Sequence, residues 1–308
     1  MARPPLSIIV PTRNRPDMLD RALASLGPAA GPNDEIVVVD SASDDPAATE
    51  AVAAQYGARV VRCHRKGETV ARNAGWRAAR HDLVAYCDDD VWVDPGWADA
   101  LATALADHPD AGFVTGRIDV PPGQTVVGLA VSILDRAEPM TYDARTPGLL
   151  GHAASLAVRR AALEAVGGFD EELGAGARFE AAPEGDLFDR MFAVGWSGRY
   201  EPGSLAWHDQ WRRRLRVIVR LDYGYGKGSG ARLAKLLKSR KWARLRLVAH
   251  EYLWAWGLTQ LWASARRRDV LLTATTAARL AGVTLGFVLG VLTPVRDGRY
   301  RGRASSSS

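Results

Sequence analysis

Three consecutive aspartates, Asp88, Asp89 and Asp90, are the residues whose type and spacing most directly suggest chemistry in this sequence. They follow the apolar run 83–87, which is typical of a buried strand. Like charges placed together at a strand end repel one another, and a divalent cation is the usual reason for a chain to tolerate them. Two interpretations stay open at this point, a divalent metal site and a solvated acidic turn.

The segments that must position these aspartates alternate between strand and helix patterns. The predicted strands are residues 6–10, 35–40, 59–62 and 83–87. The predicted helices are residues 14–26, 45–56 and 69–79, the first of them ending at Gly27-Pro28. This alternation predicts βαβ units, and therefore an α/β fold with a mostly parallel central sheet and helices on both faces.

Polar segments follow three of the predicted strands. Thr12 and Asn14 come after the first strand, Asp40 ends the second, and the three aspartates follow the fourth. Ligands of open α/β sheets bind in the crevice outside the carboxyl ends of the strands. We therefore expect these polar segments to line one crevice.

In this order the segments resemble the family 2 glycosyltransferases. The motifs that carry the resemblance are Leu6-Ser7-Ile8-Ile9-Val10-Pro11-Thr12-Arg13-Asn14-Arg15, Val37-Val38-Val39-Asp40-Ser41, Arg72-Asn73-Ala74-Gly75 and Asp88-Asp89-Asp90. The resemblance covers residues 6–225 and implies the GT-A (nucleotide-diphospho-sugar transferase) fold. It also implies transfer of a sugar from a nucleotide-diphosphate sugar to an acceptor hydroxyl, with inversion at the anomeric carbon.

The resemblance implies a metal site for Mn²⁺ or Mg²⁺. The aspartates would form the DXD motif, with Asp90 a direct ligand, Asp88 meeting the ribose or the metal, and Asp89 either a donor-binding residue or a bystander. His208, in Ala206-Trp207-His208-Asp209, would complete the metal or diphosphate site, and its alternative is a buried, hydrogen-bonded histidine. Hard oxygen ligands suit both cations, which would neutralise the leaving diphosphate.

The resemblance also implies contacts to the nucleotide. Asp40 would accept hydrogen bonds from the base or ribose, beside the loop that holds Thr12 and Asn14. Arg72 would reach the diphosphate, where a guanidinium makes paired hydrogen bonds. The alternatives are that Asp40 caps the following helix and that Arg72 is a solvated helix residue.

The acceptor side is represented by two further segments. Pro183-Glu184-Gly185-Asp186-Leu187 resembles the family segment that holds the general base, which makes Glu184 the first candidate and Asp186 the second. Either acid has the alternative of a helix N-terminal residue favoured by the helix dipole. In the segment 151–160, His152 is either an acceptor contact or a packed core histidine, and Ser155 stands where an asparagine is common in the family.

Charge is distributed unevenly along the chain. Residues 208–308 contain 21 Lys and Arg against 5 Asp and Glu, whereas residues 1–207 contain 19 against 30. The basic part is rich in tryptophan, which favours a membrane surface because indole prefers the headgroup level and cations attract anionic lipids. Packing on the catalytic domain or in a dimer is the alternative. We expect no nucleic-acid partner, since no recognised module accompanies the charge.

Residues 270–293 are apolar and long enough to span a bilayer. Arg279 near their middle and five threonines make a shallow or hairpin arrangement an equal alternative. The glycine-rich stretch 223–230 is interpreted as a flexible loop or link. The predicted organisation is a catalytic domain at 1–225, a basic, Trp-rich helical region at 226–300 that associates with a membrane, and a disordered tail at 301–308.

The N-terminal apolar run, residues 6–10, is too short for a signal peptide, and the two cysteines, Cys63 and Cys87, lack metal-ligand spacing. We therefore expect a protein on the cytoplasmic face of the membrane, peripheral or hairpin-anchored, with a glycan or lipid-linked acceptor in cell-envelope synthesis. The alternative function is a catalytically silent sugar-nucleotide or glycan-binding protein. Nucleotidyl transfer is disfavoured because no glycine-rich basic loop directly follows the first strand.

Overall fold

The structure, a computed structural model, describes residues 3–123, 129–130, 133–208, 211–212 and 214–301. The chain forms two compact units. The first comprises residues 1–144, 149–168 and 191–212, and the second comprises residues 145–148, 169–190 and 213–308. Apart from Arg301, the predicted disordered tail lies outside the described residues.

The first unit contains the predicted βαβ alternation. Its described strands are β1 (Leu6–Thr12), β2 (Glu35–Ser41), β3 (Arg59–Cys63), β4 (Leu83–Tyr86), β5 (Val91–Val93), β6 (Ala111–Asp119), β7 (Leu129–Ala130), β8 (Met140–Tyr142), β9 (Leu156–Arg159), β10 (Ser197–His208) and β11 (Trp211–Arg212). Its described helices are α1 (Pro16–Ala29), α2 (Pro46–Gln55), α3 (Glu68–Ala78), α4 (Trp97–Asp107), α5 (Arg160–Val166) and a 3₁₀ turn (Ala153–Ser155).

The main sheet has the strand order β3-β2-β1-β4-β9-β6-β10-β5, with β8 paired to β10. Strands β1, β2, β3 and β4 run parallel, and β6 and β10 run in the same direction, while β9, β5 and β8 are antiparallel to their neighbours. The expected mostly parallel α/β sheet is therefore confirmed. In the register of β1 and β2, Thr12 lies opposite Asp40, so both residues stand at the carboxyl edge of the sheet.

Alternating side chains of β1 bury both faces of this sheet. Ile8 and Val10 are fully buried in the core that also contains Trp97 of α4. Ile9 points to the opposite face, where Gly75 of α3 comes so close that any β-carbon would collide with the Ile9 side chain. Helices thus cover both faces, as the pattern predicts.

Helix α1 differs from its prediction at its end. Gly27-Pro28 was expected to stop the helix, but α1 continues to Ala29, and the amide of Ala30 donates to the carbonyl of Leu26 at 2.8 Å. Pro28 lies in the last turn, so few helical hydrogen bonds remain for it to disturb.

The second unit is mainly helical. Its described elements are residues 183–190 of α6 (Pro183–Ala193), α7 (Leu215–Lys238), α8 (Trp242–Ala249), a π-helix (His250–Leu258), α9 (Thr259–Arg266), α10 (Val270–Leu292), β12 (Val295–Arg296) and β13 (Arg299–Tyr300). The predicted domain boundary at residue 225 falls within the continuous helix α7.

The interpretation of residues 223–230 as a flexible loop is wrong, because they are part of α7. Two of their glycines pack against the backbone of α10. A β-carbon at Gly226 would collide with the carbonyl of Arg279, and one at Gly230 with the carbonyl of Val283. Glycine is a poor helix former in isolation, but here its small size permits close contact between two helices, which compensates for the lost propensity.

A network of buried ion pairs ties α6 to α7 and α8. Lys235 donates to Asp170 at 2.7 Å and lies 2.6 Å from Asp186. On the same helix as Asp186, Asp189 accepts from Arg232 at 2.6 and 2.9 Å and from Arg244 at 2.7 Å. Each of these three aspartates is buried and has a cationic partner, as buried charges require.

Candidate active site

The carboxyl ends of β1, β2 and β4 bring together residues that are far apart in the sequence. Thr12, at the end of β1, donates its hydroxyl to Oδ2 of Asp89 at 2.8 Å, and both side chains are buried. The expected convergence of the first strand with the aspartates is therefore confirmed. This contact between Asp89 and the end of β1 argues against the interpretation of Asp89 as a bystander.

Asp40 has one oxygen in use and one without a partner. Oδ1 accepts from the backbone amide of Ser43 at 2.7 Å, while Oδ2 is buried and has no hydrogen-bond partner in the described part of the chain. A buried acceptor without a donor is costly, and a ribose hydroxyl or a base N–H is a donor that would satisfy it. The alternative role as a helix cap is wrong, because Asp45 accepts from the first amides of α2.

Asn14 joins the loops that follow β1 and β2. It has a left-handed backbone with φ of 55°. Its amide group donates to Asp44 at 2.8 Å and its carbonyl oxygen accepts from the Asp44 backbone at 2.8 Å. These two bonds fix the edge of the crevice, and direct donor contact by Asn14 stays a prediction.

Arg72 is buried against the first aspartate of the cluster. Its side chain is 1% exposed, and Nη2 donates to Oδ1 of Asp88 at 2.8 Å and also pairs with Glu68. The alternative of a solvated helix residue is therefore wrong. The guanidinium therefore lies beside the aspartate cluster, and its contact with a diphosphate stays a prediction.

The other two aspartates share a cation, Arg15, which is not among the predicted site residues. Nη1 of Arg15, the residue before α1, lies 3.1 Å from Asp89 and 3.3 Å from Asp90. Burial is the main cause that raises the pKa of each carboxyl to about 6, and the neighbouring aspartates add to it. The sequence feature that marks Arg15 is its position between Asn14, a predicted site residue, and Pro16, which begins α1.

His208 lies at the end of β10, whose pairing with β5 places it opposite Val91. Its Nε2 atom is 3.5 Å from Oδ1 of Asp90, and the side chain is buried. The structure thus brings together the two residues expected to bind metal, although 118 positions separate them in the sequence.

The described residues supply only part of a donor set for a divalent cation. Within the described residues, no group of three or more His, Cys, Asp or Glu side chains is arranged to hold a metal. Asp90 and His208 supply an oxygen and a nitrogen donor, and Asp88 stands two positions before Asp90 in the sequence. Mg²⁺ is commonly bound by one or two carboxylates together with substrate phosphates. The phosphates of a nucleotide diphosphate would therefore supply the ligands that the protein lacks.

His152 belongs to the same electrostatic environment. Burial, and next the neighbouring His208, lower the pKa of His152 to about 4, while Asp88 and Arg72 also act on it. Its imidazole is therefore neutral at pH 7. Ser155, by contrast, is fully buried and accepts a hydrogen bond from Trp97 at 2.8 Å, so it serves the core of the first unit.

The two candidate bases lie in the second unit, in the first turn of α6. Asp186 is buried between Lys235 and Arg190, the latter donating to it at 2.9 Å. Burial raises the pKa of Asp186, but the two cations outweigh burial and hold it below its usual value. Asp186 is thus fixed as a structural anion, which disfavours it as a base, whereas Glu184 is only partly buried.

The chain has similarity to glycosyltransferases of known sequence and structure. The Glycosyl transferase family 2 profile matches residues 7–167. Pre-mycofactocin glycosyltransferase of Mycobacterium tuberculosis (strain ATCC 25618 / H37Rv) is 31% identical over an alignment of 248 residues that covers 74% of this chain and 47% of that protein. Validoxylamine A glucosyltransferase of Streptomyces hygroscopicus subsp. limoneus is 36% identical over 121 residues, covering 37% of this chain and 26% of that protein.

Among solved structures, mannosyltransferase PcManGT from Pyrobaculum calidifontis, in complex with GDP-Man and Mn²⁺, superposes with a TM-score of 0.63 at 22% identity. The match covers 93% of this chain and 88% of that one and shows that the two proteins share the GT-A fold. The chain spans about half the length of the curated relative that it matches over 248 residues. Because the family profile covers more than half of the chain, this protein belongs to glycosyl transferase family 2.

Proposed function

We propose that this protein transfers a sugar from a nucleotide-diphosphate sugar to an acceptor hydroxyl, with inversion and with Mn²⁺ or Mg²⁺. The observation that carries the proposal is the buried, unpartnered Oδ2 of Asp40 at the same sheet edge as the Thr12–Asp89 hydrogen bond. A nucleoside supplies the hydrogen-bond donor that this oxygen lacks. Arg72 and Arg15 provide positive charge next to the position proposed for the diphosphate.

In the proposed reaction, the acceptor oxygen forms a bond to the anomeric carbon from the face opposite the leaving group. The bond from that carbon to the diphosphate oxygen breaks, and its electron pair leaves with the nucleoside diphosphate. Glu184 takes the proton of the acceptor hydroxyl. The metal, held by Asp90 and His208 with Asp88 nearby, would neutralise charge on the diphosphate when bound.

The acceptor is proposed to be a glycan or a lipid-linked molecule of the cell envelope, used at the cytoplasmic face of a membrane. The support is the basic, tryptophan-rich sequence of the second unit. What the M. tuberculosis and S. hygroscopicus relatives act on does not define the acceptor here, because each match covers less than half of the relative.

The test is a panel of nucleotide sugars, incubated with the full chain in Mn²⁺, Mg²⁺ or EDTA. Release of nucleoside diphosphate that EDTA and Asp90→Asn abolish supports the proposal, and NMR of the product should show the inverted anomer. Stabilisation of the protein by a nucleotide sugar without turnover would support the silent binding protein instead. Release of pyrophosphate would indicate nucleotidyl transfer.

A further inference from the structure

The helices at the C-terminal side of the second unit leave large apolar side chains in solvent. Among them are Trp254, Trp256, Trp262 and Val270, at 60%, 53%, 63% and 76% of their full areas. We call the set Leu253, Trp254, Trp256, Leu258, Trp262, Val270 and Leu271 the tryptophan surface. Clusters of exposed apolar residues of this kind mark a binding partner or a membrane contact.

The tryptophan surface lies on helices that pack against one another. Thr273 of α10 lies 3.0 Å from Ser264 of α9 through their hydroxyl groups. Gly257 of the π-helix packs against Leu280 of α10 so closely that a β-carbon would collide with the leucine. The exposed tryptophans are therefore carried on a structured helical hairpin.

Cations stand beside the tryptophan surface. Arg266, Arg267 and Arg268 are all exposed and occupy the turn between Trp262 and Val270. The guanidinium of Arg266 lies over the Trp262 ring, 4.5 Å from its centroid. Indole groups next to a cluster of guanidinium groups match the boundary between acyl chains and anionic headgroups.

Helix α10 is long enough and apolar enough to span a membrane, judged by its length and composition alone. Its packing argues against a spanning role. Gly282 lies against the carbonyl of Tyr223, and Gly286 against that of Lys227, so α7 runs alongside the middle of α10. Arg279 of α10 also pairs with Asp222 of α7 at 2.8 Å.

If α10 crossed a bilayer, α7 would have to enter it as well. That helix carries Arg232 and Lys235, whose aspartate partners on other segments of the second unit would follow them into hydrocarbon. Charged groups at the membrane centre are costly, and such a cluster would multiply the cost. The outward face of α10 can meet a membrane without this penalty, because the charges lie on its α7 side.

We propose that the tryptophan surface inserts into one leaflet of an anionic membrane while α10 lies along the interface and does not span it. The arginine triplet contacts lipid phosphates at the rim of the inserted surface. This inference specifies the membrane contact in the proposed function and does not depend on the transfer reaction, since its test contains no nucleotide sugar.

The full chain is mixed with phosphatidylcholine vesicles that contain or lack phosphatidylglycerol. We expect cosedimentation with the anionic vesicles and a blue shift of tryptophan fluorescence. The triple variant Trp254→Ser/Trp256→Ser/Trp262→Ser should bind at least about tenfold more weakly. The control, Leu149→Ser/Val194→Ser, removes exposed apolar residues of the first unit and should bind like the unchanged chain. Circular dichroism confirms that each variant is folded.

The arginines are tested separately, because these exposed residues can be changed with little risk to folding. Arg266→Gln/Arg267→Gln/Arg268→Gln should lose about fivefold in affinity per residue for anionic vesicles only. Absence of vesicle binding, or binding that ignores both sets of changes, overturns the proposal. Resistance of membrane-bound protein to alkaline carbonate extraction overturns it in favour of a spanning helix. Concentration-dependent dimers lost in the tryptophan variant, without vesicle binding, overturn it in favour of self-association.

Discussion

Thr12 donates its hydroxyl to Asp89 across 2.8 Å, which links the end of the first strand to the aspartate cluster 77 residues later. Both residues are buried, so neither has water as an alternative partner. The middle aspartate of the cluster therefore holds the segment after β4 to the end of β1. This role explains why a third carboxylate is present besides the two expected to meet the metal and the ribose.

Thr12→Val removes this hydrogen bond and leaves Oδ2 of Asp89 without its hydroxyl donor. We expect the free energy of unfolding to fall by about 1–3 kcal/mol, the usual cost of a buried unsatisfied acceptor. Urea unfolding measures the change. The double variant Thr12→Val/Asp89→Asn should lose less than the sum of the single changes, and strict additivity would mean that the two residues do not interact.

Asp40→Asn should weaken binding of the nucleotide sugar by about tenfold or more, because an amide N–H replaces an acceptor that the ligand's donor requires. Isothermal titration with the best donor of the panel measures the change. Asp45→Asn is the matched control, since it alters only the cap of α2, where asparagine is an equally good cap. Equal affinity in the two variants would remove Asp40 from the donor site.

Glu184→Gln and Asp186→Asn should separate chemistry from stability. The first should keep donor binding and melting temperature but reduce turnover about 10²–10⁴-fold, the contribution of a general base. The second leaves Lys235 and Arg190 short of a buried counter-charge and should cost about 3–5 kcal/mol in unfolding free energy. Full turnover in Glu184→Gln would show that another group takes the proton.

Arg15→Gln should increase the affinity of the free protein for Mn²⁺, because it removes a cation from two carboxylates at the proposed metal site. Electron paramagnetic resonance of Mn²⁺ alone measures this without any turnover. Arg13→Gln serves as the comparison, since the Arg13 side chain donates to the carbonyl of Ala42. A weaker Mn²⁺ affinity in Arg15→Gln would show that Arg15 supports the site in another way.

The turn before β2 should make stability depend on pH. Asp34 accepts from Arg3 and from the amides of Leu6 and Gly31, and although burial opposes them, these bonds hold the pKa of Asp34 below its usual value. A depressed folded-state pKa gives stability that is present above the unfolded pKa of about 3.9 and is lost as pH falls through the folded pKa.

The difference in unfolding free energy between the unchanged chain and Asp34→Asn should therefore be large at neutral pH and shrink in acid. Urea unfolding at neutral pH and at acidic pH measures this difference. Glu50→Gln, which removes an exposed ion pair with Arg62, should change the stability by less than about 1 kcal/mol at either pH. A pH-independent effect of Asp34→Asn would contradict the argument.

Local patterns in the sequence were sufficient for the first half of the fold. The strands that end at Thr12, Asp40 and Tyr86 have apolar periodicity and turn residues that act within a few positions, and parallel pairing then sets their carboxyl ends side by side. The role of Arg15 could not be predicted from the sequence, because its partners lie more than 70 residues away.

The second unit was harder to predict because its helices depend on partners distant in sequence. Gly226 has the sequence context of a loop residue, and only its packing against α10 explains why it lies in a helix. Asp186 has the sequence context of a catalytic acid, and only its pair with Lys235, 49 positions later, disfavours that role. Isolated propensity and motif position contain neither fact.

The ion-pair network of the second unit has a practical consequence for work with shortened proteins. A chain cut at residue 225, where the sequence suggests that the catalytic part ends, would retain Asp170, Asp186 and Asp189 but lose Lys235, Arg232 and Arg244. Three buried carboxylates would lose counter-ions, and the helix that bears Glu184 would lose its anchor. Loss of activity in such a truncated chain would then reflect disruption of this helix. It would not test whether catalysis needs a membrane.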